Sequence, residues 1–234
     1  VICSSHSGEN YHVEAVKGIL KKAGLDEGFL QCGTHYPLYE PLADEMRRKG
    51  ICPVPLQEMC SGKHAGMLIT SGYLGESLED YSQPEHPHQR RILRTLSEMC
   101  EYPEEKIGIG VDGCGVPVHA MPMYHFALGF AKLADPNGLG DKRKAAAERI
   151  VRSVQEYPLH MSGTGRPDAR INGLSGKNVF SKSGADGYYG AGILDRGLGI
   201  AVKVDCGLGP VRDAVIVEVL RQLGEIREEE LFSF

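Results

Sequence analysis

The sequence predicts an α+β protein, an antiparallel sheet flanked by helices with a helical lobe beside it. From Asn10 to Tyr157 the apolar residues recur mainly at helical spacing, whereas the final quarter changes to short strands followed by one more helix. At 234 residues the chain can bury one sizeable core, so one domain spanning 1–234, with two lobes, is expected.

The elements follow in order. Between Asn10 and Ala23, Val13, Val16, Ile19 and Leu20 form one apolar stripe and Gly24 sits where a left-handed cap belongs, so a surface helix is predicted. Residues 33–57 are rich in Pro and Gly and read as a loop-rich connection, with a short helix at Asp44–Lys49. Helices are predicted over His88–Cys100, carrying Ile92, Leu93, Leu96 and Met99, and over Asp141–Tyr157, stopping before Pro158. Ile107–Val111 has a strand pattern; after a turn at Pro117, Met121–Ala134 reads as an apolar helix. Val179–Ser181, Gly190–Leu194 and Leu198–Val204 read as strands, the last two joined by a tight turn at Asp195-Arg196-Gly197. Pro210 suits the first turn of a closing helix that reaches Leu223. That helix is apolar nearly all round and is expected to be buried on more than one side.

Composition narrows the function. The formal charge of −5 is spread without a basic block, which argues against a nucleic-acid partner. No apolar run approaches the roughly eighteen residues of a membrane span, and no signal-like segment opens the chain, so a soluble, cytoplasmic protein is expected. The seven cysteines are odd in number and irregularly spaced, as thiols or ligands would be rather than a disulfide framework.

Four segments could carry chemistry. Ser4-Ser5-His6-Ser7-Gly8-Glu9 gathers hydroxyls on a turn before the first helix, where serines also serve as N-caps. In Cys60-Ser61-Gly62-Lys63, a helix starting at this point would put the thiol and the amine on one face; a buried cysteine before a helix start is the alternative. Asp112-Gly113-Cys114-Gly115 surrounds a carboxylate and a thiol with glycines that let backbone approach a ligand, or simply turns the chain. Lys182-Ser183-Gly184 matches the Lys-Ser/Thr-Gly strand element of serine β-lactamases and penicillin-binding proteins.

In this order, together with Gly163-Thr164-Gly165-Arg166-Pro167-Asp168, these strings resemble the signature blocks of the asparaginase II family, over Val1 to about Leu223. The resemblance implies a serine β-lactamase-like architecture and hydrolysis of L-asparagine to L-aspartate and ammonia. Carried over by position, it implies that Ser5 pairs with Lys182 in catalysis, that His6 and Asp112 serve the substrate, and that Cys60, Lys63 and Cys114 hold a zinc ion. Two thiolates and an amine would leave one zinc position open, and a serine beside a neutral lysine is an activated nucleophile. A glutaminase or other serine amidase, and a non-catalytic metal- or amino-acid-binding relative, are the alternatives; a homodimer is compatible with all of them. The family pattern also implies an upstream Ser-x-x-Lys, and none occurs in these residues. The expectation is therefore that an N-terminal segment precedes Val1 and that residues 1–234 alone lack useful turnover.

Overall fold

A computed structural model describes residues 1–174 and 176–231. In chain order the helices and strands are α1 (Asn10–Lys22), α2 (Glu40–Arg48), α3 (Ser61–Tyr73), α4 (Pro87–Cys100), β1 (Gly108–Val111), β2 (Pro117–Ala120), α5 (Met123–Ala134) and α6 (Asp141–Glu156). They continue as α7 (Pro158–Met161), α8 (Pro167–Asn172), β3 (Val179–Ser183), β4 (Tyr188–Ile193), β5 (Leu198–Lys203), α9 (Gly209–Gln222) and α10 (Glu228–Leu231). Mixed helix with small antiparallel sheets makes this an α+β protein, and its contacts divide it into two compact units.

The first unit comprises residues 1–95, 107–120 and 159–164. Its core is Val16, Leu20, Leu56, Met67, Leu68 and Tyr81 with the thiols Cys32, Cys60 and Cys114. The stripe read for α1 supplies Val16 and Leu20, and Gly24 follows at φ 71°, the left-handed geometry expected of it. The serines before α1 do not cap it: Glu9 holds the cap position, and its N–H donates to His12 Nδ1. Glu40 and Pro41 open α2 four residues earlier than expected, since proline lacks the amide that a first turn leaves unpaired. Pro117 opens a strand rather than a mere turn, with β1 and β2 antiparallel and Val111 opposite Pro117. An edge strand tolerates proline at its first residue.

The second unit comprises residues 96–106, 121–158 and 165–234. Its sheet has the order β3-β4-β5, antiparallel throughout, with Lys182 opposite Gly190 and Gly190 opposite Ala201. The predicted turn closes through a 3-10 turn at Leu194–Arg196 and Gly197 at φ 55°. One sheet face packs Val179, Tyr189, Ala191 and Ile193 on Ile171, Ile216 and Leu220. On the other lies α5, seated on Gly190, Gly192 and Gly199, where any side chain would strike Phe130, Phe180 or the Ala127 carbonyl. The expected all-round burial of the closing helix is corrected: α9 buries Arg212, Ile216 and Leu220, while Val211 and Val215 are 42% and 37% exposed. One helix on one sheet face needs only one stripe, and β-branched residues on its outer side do not change which stripe that is.

Candidate active site

Before α1 the chain makes a buried turn that only its last residues fully explain. His6 is wholly buried; its Nδ1 accepts from Gly8 N–H at 3.2 Å, which leaves Nε2–H to donate to Ser61 Oγ at 3.0 Å. Ser61 in turn donates to the Leu56 carbonyl, so the imidazole ties the serine turn to the start of α3. Ser7 N–H donates to the Ser162 carbonyl and its hydroxyl donates to Glu9 at 2.5 Å. Glu9 also accepts from Tyr11 OH at 2.8 Å, Thr164 N–H at 2.9 Å and Thr164 Oγ1 at 2.7 Å. Burial works to raise its pKa, but these donors outweigh it and hold the carboxyl down at about 2.

Ser5, half-buried in the same turn, places its hydroxyl 3.9 Å from Cys60 Sγ. Cys60 occupies the N-cap position of α3, and its N–H donates to Glu58 Oε2 at 2.6 Å. One turn along α3, Lys63 reaches Cys114 Sγ at 3.2 Å and Asp112 Oδ2 at 3.3 Å. Those two partners come from the tight turn between β1 and β2. There Asp112 N–H donates to the Val116 carbonyl, Gly113 N–H to Asp112 Oδ1, and Gly115 takes φ 86°. The turn thus presents a carboxylate and a thiol side by side, 3.6 Å apart.

Charge is distributed unevenly in this cluster. The neighbouring Cys60 thiol, with Lys63 and His64, draws the Cys114 thiol down from the ordinary range against the cost of burial. Cys60 is pushed up, first by its neighbour Cys114 and then by burial. Burial disfavours the Lys63 ammonium, yet the two thiols and Asp112 more than offset it. One ligand atom each from Cys60, Asp112 and Cys114 lies within 4.8 Å of the others. Soft sulfur donors with an amine and a carboxylate suit zinc once Cys60 and Lys63 give up their protons as it binds, so the donor set fits the ion the family pattern implies.

The structure therefore brings Ser5, Cys60, Lys63, Asp112 and Cys114 together in the first unit, with His6 bracing the turn behind them. Lys182 belongs to the second unit, in β3, where its Nζ donates to the Ser183 carbonyl. Sequence reasoning assigned no role to Glu9 or to His64, whose Nδ1 meets Tyr81 OH at 2.8 Å while it lies beside Cys114. For Glu9 the signal was an acid immediately after a Ser-His-Ser-Gly run; its real partner, Thr164, is remote in sequence.

Fold and cluster together define a class: an α+β protein whose serine turn adjoins a thiol, amine and carboxylate group suited to a divalent ion. The chain belongs to the L-asparaginase II family, whose model matches residues 1–233, and this points to an asparaginase-type amidohydrolase with a small-molecule substrate. Comparison with curated proteins finds no match. Among the described residues, no helix is long and apolar enough to cross a membrane.

Proposed function

We propose that the protein is an L-asparagine amidohydrolase, one asparaginase II-like domain spanning 1–234 in an architecture related to the serine β-lactamases. The observation that carries this is the gathering of Ser5, Cys60, Lys63, Asp112 and Cys114 at one place in a chain of this family. In the proposed reaction a serine oxygen bonds to the side-chain amide carbon while a neutral lysine takes its proton, and Ser5 and Lys182 are the pair that the family pattern assigns to this catalysis. The tetrahedral adduct expels ammonia, which leaves with a proton from the Lys182 ammonium; water then cleaves the ester to release aspartate and restore the serine. Asp112 supplies the negative charge that receives the substrate's α-ammonium, whereas His6, expected to serve the substrate, is wholly buried and instead fixes the turn that carries Ser5. Cys60, Lys63 and Cys114 would hold zinc, which when bound supplies a Lewis-acidic anchor.

Ammonia release from L-asparagine and L-glutamine, with zinc counted by elemental analysis, tests this. In protein expressed from its full reading frame, Lys182→Met and Ser5→Ala are expected to abolish release from asparagine while the fold persists; retained turnover in either overturns the assignment. A second reading, a metal- or amino-acid-binding relative without turnover, rests on the Cys60–Asp112–Cys114 grouping alone. Zinc binding with no ammonia from either amide selects it, and preference for glutamine marks a glutaminase on the same scaffold.

A further inference from the structure

One block of the sequence, Gly165-Arg166-Pro167-Asp168, has no part in the mechanism above, and its place in the fold supplies one. β3 is the edge strand of its sheet, so the N–H groups of Ser181 and Ser183 face away from β4. An edge strand normally leaves such groups to water. Here α8 takes them. Asn172 Oδ1 accepts from Ser181 N–H at 2.8 Å and its Nδ2 donates to the Ser181 carbonyl at 2.9 Å, as a neighbouring strand would. Asp168, one helical turn earlier on the same face, accepts from Ser183 N–H at 2.5 Å and Ser183 Oγ at 2.6 Å. Both side chains are 1% exposed, and the residue between the two clamped serines is Lys182.

We propose that Asp168 and Asn172 are positioning residues for Lys182: together they clamp β3 on either side of it, and the Asp168 carboxylate stabilises the ammonium that Lys182 becomes on taking a proton. This deepens the reading of Lys182 as the base and rests on it. A buried carboxylate that steadies a protonated base is a general device, because a charge formed in a low-dielectric site is expensive without a counter-charge.

The charged and titratable groups around the strand come from each element packed on it. α8 and its lead-in bring Asp168 and Arg166, whose Nη2 is 3.9 Å from Asp168. β4 brings Tyr189, whose hydroxyl meets Ser181 Oγ at 3.2 Å. α9 brings Arg212, donating to the Gly184 carbonyl at 2.6 Å, with Asp213 on its guanidinium. α6 offers Gln155, a neutral donor to the Val179 carbonyl. Asp168 is the buried acid among them, and attraction to Lys182 helps to keep it ionised despite its burial.

Two variants separate charge from clamp. Asp168→Asn keeps an acceptor for Ser183 N–H and removes the charge. The acid limb of the kcat/KM profile is expected to move about one pH unit lower, a tenfold loss of proton affinity at the base, with kcat down about tenfold and KM held within about twofold. Asn172→Ala keeps the charge and releases Ser181: kcat is expected to fall with the limb unmoved. A folded Asp168→Asn enzyme with an unshifted limb overturns the proposal. Amide hydrogen exchange on the unaltered protein needs neither variant: Ser181 and Ser183 should be protected like central-strand amides, and exchange at the rate of open edge amides also overturns it. The Lys182 ammonium followed by NMR in Asp168→Asn gives an answer independent of turnover. A shifted titration with full activity in Lys182→Met leaves the clamp standing and removes the base assignment beneath it.

Discussion

Cys60 and Cys114 both depend on their surroundings, which push the two thiols in opposite directions. The neighbouring Cys60 thiol and the Lys63 amine, 3.2 Å away, both favour the thiolate form of Cys114. On the proposed zinc site, Cys114→Ala is expected to lower zinc content to below about a tenth of an equivalent per chain, since three donors become two; elemental analysis after dialysis against zinc checks it. Glu9 is dependent as well, a carboxylate that four donors share. Glu9→Gln turns one acceptor into a donor facing donors and should cost about 2–3 kcal/mol in urea unfolding. Gly163 lies against the same network at φ 140°, with no room for a Cβ beside Ser7 Oγ. Gly163→Ala should therefore cost about 2–4 kcal/mol or more, combining backbone strain with a clash.

Among elements, α5 and α9 hold the three-stranded sheet in different ways. α5 lies close because glycines lie under it. Gly199→Ala would push a methyl into the Ala127 carbonyl, a backbone atom that cannot turn aside, whereas Gly190→Ala meets the ring of Phe130. The first substitution is expected to destabilise strongly in any background. The second should be partly relieved by Phe130→Leu, and thermal melts of the single and double variants measure that coupling. α9 instead buries a stripe: Ile216→Ala should cost about 2–5 kcal/mol, whereas Val215→Thr, on the exposed side, should stay within about 0.5 kcal/mol. Equal losses at the two positions would mean that α9 is buried on more sides than this sheet accounts for. Residue periodicity made α1, α4 and α6 legible because each has one apolar stripe. It misjudged α9, whose valines and isoleucine mark no single stripe and whose buried side includes Arg212.

At the scale of the whole molecule, acid stability draws on groups at the start of α1, with buried His88 and half-buried His119 acting in the same direction as His12. His12 is fully buried, its Nε2–H on the Leu159 carbonyl, and burial lowers its pKa from 6.5 to about 4. Between those values the unfolded chain binds the proton and the folded one does not, so stability falls as pH drops from 6.5 toward 4. Glu9 adds a second loss of the same sign, from 4.5 down toward about 2, as its depressed carboxyl is protonated and its donors lose their acceptor. Urea midpoints measured from pH 7.5 to 4 should begin to decline below about pH 6.5. His12→Gln should lessen that first decline and leave the one below pH 4.5; a profile already flat between 6.5 and 5 in the unaltered protein would remove His12 from this account.

By itself the sequence determined the helices with a single apolar stripe, the antiparallel strands with the turn at Gly197, and the four blocks that mark the family. These are local: a stripe, a turn or a short string is written in neighbouring residues, and a periodicity states which face will be buried. Tertiary structure alone decided what that face meets. Ser5 comes beside Cys60, Lys63 between Asp112 and Cys114, Glu9 beneath Thr164, and Asn172 on the edge of β3. Except for the last, these pairs are at least 49 residues apart, a separation at which no spacing rule operates. Their proximity follows from how separate buried faces pack, and with it the lowered pKa of Glu9 and the hydrogen bonds that α8 makes to the edge of β3.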